Sequence, residues 1–278
     1  MNITNNFNLP ESIVNVLSKG HRPIANRFSA SDIINPPWMR ILRERNYDRI
    51  EQDVSDMLWM LLGSSVHYIL EGGSPDNALA EEKMIVDLDG FTIVCIPDLW
   101  QNKEITDWKI TSVYSFLLGD KPEWEKQLNI YKWMYGKHGF ETEKLTINAI
   151  LRDWQKSKTL TDPKYPKIAF HSVDIPVWND AYTEKVIRDW IAEMDMPVPC
   201  SDEARWARPT TWAVMREGRK TALRVFDTWE KAIEFTSELP FKKQCEIVKR
   251  KGEYIRCQSY CNVAPFCSAN PYREVKAA

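Results

Sequence analysis

Between Asp53 and Met194 the apolar residues switch repeatedly between the period of a helix and the period of a strand. That alternation limits the chain to a sheet with helices laid against it. Val54, Met57, Leu58, Leu61 and Leu62 recur at helical spacing in a segment that reaches about Glu71 and carries His67, and Gly72-Gly73-Ser74-Pro75-Asp76 then breaks it. Three strand-like runs follow, 81–88, 91–100 and 104–110, with Asp89-Gly90 a strong hairpin turn and Gln101-Asn102-Lys103-Glu104 a weaker one. A helix over 122–138, strands over 145–154 and 168–178, and a helix capped by Asn179 complete the pattern. The fold class expected is mixed α/β (α+β), a mixed central sheet flanked by helices.

Domain limits follow from the same pattern. Residues 1–52 read as a helical, peripheral segment, with cap residues at Ser29-Ala30-Ser31-Asp32 and an interruption at Pro36-Pro37. Residues 53–198 form the expected core, and Pro197-Val198-Pro199 marks its end. Residues 199–278 form a C-terminal region expected to pack on that core, with short strands near 212–215 and 222–226, a helix over 228–238 and a cysteine-bearing tail. The chain of 278 residues has 37 basic and 39 acidic side chains, so no protein-wide positive field holds a polyanion, and any nucleic-acid contact must be local. Its longest apolar run, Met57 to Leu62, falls far short of the roughly 20 residues that cross a bilayer. The N-terminus shows no signal-peptide pattern, and a cytoplasmic location is expected.

Chemistry concentrates in Cys95-Ile96-Pro97-Asp98-Leu99-Trp100 and Glu104-Ile105-Thr106-Asp107-Trp108-Lys109-Ile110. Alternate strand residues share a face, so Asp107 and Lys109 stand side by side while Trp108 points away. With Asn102-Lys103 as a two-residue tip, opposed positions sum to 205 and Asp98 lies across from Asp107. Two opposed carboxylates repel and call for a cation between them. A hard divalent ion such as Mg²⁺ fits, and it would polarise a phosphoryl oxygen and make a bound water more acidic while Lys109 stabilises developing charge. The reaction suggested is hydrolysis of a phosphodiester.

The motif has company in a definite order. Gly63-Ser64-Ser65-Val66-His67 precedes it, Glu82 opens the first strand run, and Gln127-Leu128-Asn129-Ile130-Tyr131 follows on a helix, where Gln127 and Tyr131 share a face. At these residues the chain resembles the PD-(D/E)XK nuclease superfamily, in its RecB-like, AddB-like exonuclease branch. The branch shows a G-x-x-x-H helix, a Glu at a strand start, an Asp ending the next strand, a (D/E)-x-K strand and Q-x-x-x-Y. These elements span Gly63 to Tyr131, about a quarter of this chain. The resemblance implies a restriction-endonuclease-like core. It implies metal ligation by His67, Asp98, Asp107 and the backbone carbonyl of Trp108, with Lys109 as the catalytic lysine and Glu82 as an outer contributor. Gln127 and Tyr131 would position the scissile phosphate or the lysine. It also implies a Mg²⁺- or Mn²⁺-dependent deoxyribonuclease for recombination, replication or repair in a bacterial cell or phage-infected host. Single-stranded DNA or duplex ends would be its substrate, and a helicase or recombination protein a partner.

The tail carries Cys257, Cys261 and Cys267 in a C-x3-C-x5-C run, which suits tetrahedral zinc or an iron–sulfur cluster and wants a fourth ligand. Cys200, at the mouth of the same region, is the choice; Cys245 is the rival, and Cys95 reads as a buried small apolar side chain. RecB-like nucleases of the AddB and CRISPR-associated kinds carry a [4Fe-4S] cluster on three C-terminal cysteines and one ahead of the core. No cysteine precedes Cys95 here, so zinc and free thiols stay open beside the cluster. For DNA, Arg152, Lys156, Lys158, Lys164 and Lys167 interleave with Trp154 and Tyr165, offering phosphate contacts and base stacking that suit a single strand. Two rival readings remain: a catalytically inactive nuclease-fold protein that binds DNA or protein, and a zinc-stapled interaction protein.

Overall fold

Ser29 caps a short helix that goes into the core and is not peripheral. Its hydroxyl accepts from the N–H of Asp32, whose carboxylate accepts from the Ser29 N–H in return, a capping box that fixes where the helix begins. The computed structural model describes residues 1–20, 22–117 and 121–273. In chain order the N-terminal elements are β1 (Asn2–Thr4), α1 (Glu11–Leu17), β2 (Arg27–Ser29), α2 (Ala30–Ile33), α3 (Pro37–Asn46) and β3 (Glu51–Asp53). Phe28, Ala30 and Ile33 are buried in the main hydrophobic cluster. The expectation of a helical, peripheral N-terminus is thus corrected: β2 is only three residues long, too short for an alternation to show, yet it adds a strand to a sheet.

The chain divides into two compact units, Met1–Val198 and Pro199–Ala278. In the first, the elements after β3 are α4 (Leu58–Glu71), β4 (Leu79–Ala80), β5 (Met84–Leu88), β6 (Phe91–Cys95), β7 (Leu99–Gln101), β8 (Glu104–Thr111), α5 (Val113–Leu117), α6 (Pro122–Lys137), β9 (Lys144–Leu151), β10 (Phe170–Asp174) and α7 (Asp180–Asp195). Asn179 caps α7 by accepting from the Tyr182 N–H at 2.8 Å. Five strands form a mixed sheet in the order β10-β9-β8-β7-β4, in which β8 and β9 run parallel and the other neighbours antiparallel. A second sheet has the order β2-β6-β5. The fold is a mixed α/β one.

Both hairpins close on two-residue tips with positive φ, the left-handed turn that matches strand twist. Asp89 and Gly90 have φ of 53° and 83°, Asn102 and Lys103 of 49° and 62°. The apolar face of α6 supplies Leu128, Trp133 and Tyr135 to a core shared with Ile105, Leu145 and Ile147 of the sheet and Ile187 and Trp190 of α7. Burial of such side chains is worth roughly 1.5–3 kcal/mol each before entropy is counted, and it holds α6 across β8. The helix carrying His67 behaves otherwise. Val54 and Met57 pack with Leu17, but they lie in a 3₁₀ turn ahead of α4, and no residue of α4 is buried. None of the described helices is long and apolar enough to cross a membrane.

The second unit contains β11 (Ala207–Arg208), β12 (Thr211–Arg216), β13 (Arg224–Phe226), α8 (Trp229–Glu238), β14 (Cys245–Arg250), β15 (Glu253–Tyr254) and α9 (Ile255–Ser259). An antiparallel sheet ordered β13-β12-β14 packs with α8, burying Ala213, Val214 and Ala232. Strand β14 was not legible because charged residues crowd its end. A Cβ at Gly252 would sit 2.7 Å from the Arg208 carbonyl oxygen, so the turn into β15 demands glycine.

Candidate active site

The site is assembled by the β7–β8 hairpin. Leu99 pairs with Thr106, Trp100 with Ile105 and Gln101 with Glu104, the register that sums to 205. Asp98 stands one residue before β7 and continues that register toward Asp107. Because β7 is short, the β7-side edge of β8 beyond Thr106 has no strand partner, and Asp98 takes its place: one carboxylate oxygen accepts from the Trp108 N–H at 2.5 Å. The N–H and C=O of one strand residue face the same edge, so the Trp108 carbonyl also faces Asp98.

The other Asp98 oxygen lies 3.0 Å from Nδ1 of His67 on α4. Glu81 comes to the same nitrogen at 3.6 Å. Its backbone N–H donates to the Asp98 carbonyl at 3.2 Å, and its φ of 52° turns the chain inward. Ligand atoms of His67, Glu81 and Asp98 lie within 4.8 Å of one another, a convergence found at no other such group among the described residues. Here the sequence expectation is corrected. Glu82 is exposed, and β5 starts only at Met84, so the bend before it delivers Glu81 instead.

On the other side of the hairpin, Asp107 is buried and Lys109 approaches its Oδ2 at 2.6 Å. That ammonium is the one cationic side chain paired with the Asp107 carboxylate among the described residues. The Lys109 ammonium donates to Gln127 Oε1 at 3.1 Å, and the Gln127 amide donates to the Tyr131 hydroxyl at 2.6 Å. Gln127 and Tyr131 are both buried on α6, with Gln127 touching the lysine and Tyr131 touching Gln127. Burial pushes the Tyr131 hydroxyl far above its ordinary value, and it stays protonated.

Three further shifts describe a site short of positive charge. Burial raises the Asp107 carboxyl above the usual carboxylate range, against the pull of Lys109 and with the push of Asp98. Glu81 is raised by burial and then by Asp98. His67 is raised chiefly by its hydrogen bond to Asp98, against burial. The His67 imidazole with the converging Glu81 and Asp98 carboxylates fits a hard divalent cation.

A pH dependence follows. A raised histidine contributes stability that is full below about 6.5, the unperturbed value, and is lost as pH rises through the folded value. If His67 ligates the metal, binding competes with its protonation, and Mn²⁺ affinity should tighten as pH rises from 6 upward. Titration calorimetry in two buffers of different ionisation enthalpy should show proton release on binding. Affinity independent of pH would exclude His67 as a ligand.

The remaining candidates divide. Arg152, Lys156 and Lys158 are exposed and carry no carboxylate partner among the described residues. Trp154 does not serve as a free stacking surface: its indole N–H donates to the Pro166 carbonyl at 2.7 Å and its ring packs on Val113, Ala149, Leu151 and Tyr165. The exposed aromatic beside Arg152 is Trp59 of α4, whose ring centroid lies 4.0 Å from the guanidinium. In the second unit Cys200 is pushed up to about 11, by burial first and then by Cys261, Cys267 and Cys257. No three of those sulfurs converge as the ligand atoms of His67, Glu81 and Asp98 do. Cys245 is not among the groups that act on Cys200, and Cys95 is buried.

No family model matches the sequence, and no curated protein matches it. Solved structures give partial likenesses. The crystal structure of SSO0001 is 20% identical, covering 70% of this chain and 88% of that one at a TM-score of 0.46. An alkaline exonuclease from Laribacter hongkongensis is 13% identical, covering 65% and 91% at a TM-score of 0.39. Both scores are below 0.5, and the functional reading rests on the geometry of the site.

Proposed function

We propose that this chain is a metal-dependent deoxyribonuclease, an exonuclease of the PD-(D/E)XK kind. The observation that carries the reading is the joining of two groups by one hairpin: the His67, Glu81 and Asp98 convergence, and the Asp107, Lys109, Gln127 and Tyr131 chain. When bound by His67, Glu81, Asp98, Asp107 and the Trp108 carbonyl, Mg²⁺ or Mn²⁺ supplies Lewis-acid neutralisation of phosphoryl charge and a more acidic water. The protein's own part is positioning. Lys109, held by Gln127 and Tyr131, would donate a hydrogen bond that orients the attacking water or steadies charge on a non-bridging oxygen. Water loses a proton to solvent as its oxygen bonds to phosphorus, the bond to one sugar oxygen breaks, and that oxygen takes a proton from solvent. Asp107 keeps the ammonium charged and aimed.

Net charge conceals a division that favours DNA as substrate. Residues 1–198 hold 22 basic and 29 acidic side chains, residues 199–278 hold 15 and 10. Arg152, Lys156 and Lys158, with no carboxylate partner among the described residues, would supply phosphate contacts within the first unit. Cys200, Cys257, Cys261 and Cys267 would carry a [4Fe-4S] cluster or zinc, stapling the tail, in the reducing cytoplasm of a bacterium or an infected host. A helicase or recombination protein is the partner this role invites.

The test uses anaerobically purified protein, assayed for iron, sulfide and zinc, with end-labelled single- and double-stranded DNA, Mg²⁺, Mn²⁺ or chelator. Metal-dependent shortening from an end is expected. DNA binding without cleavage under every metal would favour the inactive relative.

A further inference from the structure

Helix α4 offers an open track away from the site. Gly63 and Ser64, with Met60, Tyr68 and the carboxylates of Glu71 and Glu81, line a groove that reaches His67. A Cβ on Gly63 would meet nothing within 4 Å, so packing does not require glycine there. At the far end of the helix is Trp59, 63% exposed even with the Arg152 guanidinium 4.0 Å from its ring centroid. Cation and ring fix each other while indole surface stays open and the guanidinium keeps no carboxylate partner among the described residues.

We propose that Trp59 and Arg152 clamp an unpaired nucleotide of the strand being cleaved. The proposal rests on the nuclease reading and deepens it: the substrate enters the site as a single strand along α4. Eight residues of helix separate Trp59 from His67, about 12 Å, which places the clamped base about two to four nucleotides from the scissile phosphate. Trp59 stacks the base and Arg152 meets the adjoining phosphate. The open space at Gly63 and Ser64 admits the intervening sugars. An exposed indole would gain little along a paired duplex, whose interior bases present no free face, whereas a single strand offers one at every position.

Binding of labelled oligothymidylates of two to six nucleotides, measured by fluorescence anisotropy with chelator present, tests the clamp apart from catalysis. In wild type, affinity should step up once the oligonucleotide reaches the clamp. Trp59→Ala and Arg152→Ala should each shrink that step about tenfold, Trp59→Phe should restore most of it, and with metal the losses should raise KM more than they lower kcat. Gly63→Leu, a better helix former pointing into open space, should hold or raise Tm while weakening oligonucleotide binding. Ile69→Ala, on a different face of α4, should leave the step intact. An unchanged length step in both Trp59→Ala and Gly63→Leu would overturn the clamp while wild-type cleavage upheld the nuclease. Absence of any DNA binding or cleavage in wild type would overturn both.

Discussion

Replacing Lys109 with alanine should lower the single-turnover cleavage rate by about 10²- to 10³-fold, the usual consequence of removing one donor aimed at developing charge. The side chain touches two groups, Asp107 and Gln127. Its ammonium sits 2.6 Å from Asp107 and donates to Gln127, so the variant leaves a buried carboxylate with its nearest cation gone. Asp107 should then hold its proton to higher pH than in wild type. A carboxyl raised by burial contributes stability below its unfolded value and loses it as pH rises, so the metal-free variant should lose more Tm than wild type between pH 5 and 8. Lys109→Arg should not rescue the rate, since a planar fork cannot occupy a space shaped for a point charge. Wild-type turnover by Lys109→Ala would end the catalytic assignment.

Asp98→Ala should abolish cleavage by a different route. It removes the carboxylate that faces His67 and orphans the Trp108 N–H at the open edge of β8. Mn²⁺ affinity should fall at least about 100-fold, beyond the range seen when only a supporting partner is lost. Stability should drop by about 1–3 kcal/mol for the unpaired backbone donor. Asp98→Asn separates the two effects, because its amide oxygen can still accept from Trp108. That variant should fold nearly as wild type and bind metal poorly, as read by calorimetry beside a urea titration. Undiminished Mn²⁺ binding in both variants would remove Asp98 from the ligand set.

How much of this was legible depends on whether the determinant was local. Hairpin register could be counted from the tip because Asn102-Lys103 forms a two-residue turn, and strand alternation then put Asp107 beside Lys109. The Gln127 and Tyr131 pairing followed from helical spacing alone. Glu81 was missed for Glu82 because a positive φ at a glutamate leaves no mark in composition; only the tie of its N–H to Asp98 reveals it. Trp154 and Trp59 were exchanged for a related reason. Nearness in sequence suggested Trp154 for Arg152, whereas the fold sends Trp154 into a small core and brings α4 to the end of β9. The N-terminal strand β2 escaped because three residues cannot display a period, and its parallel partner β6 lies more than 60 positions on.

The tip of the β7–β8 hairpin has an implication for how such a chain can change length. Surface turns ordinarily absorb insertions at little cost. This one behaves as a phase setting: one added residue between Asn102 and Lys103 would offset every pairing below it by one and turn either the acid and lysine of β8 or Asp98 to the wrong face. Two added residues would restore the face yet draw the carboxylates apart by about 6–7 Å along the strands. Length variation in relatives that keep the chemistry should therefore accumulate in the polar loop between β9 and β10, and stay away from a turn that from outside looks just as disposable.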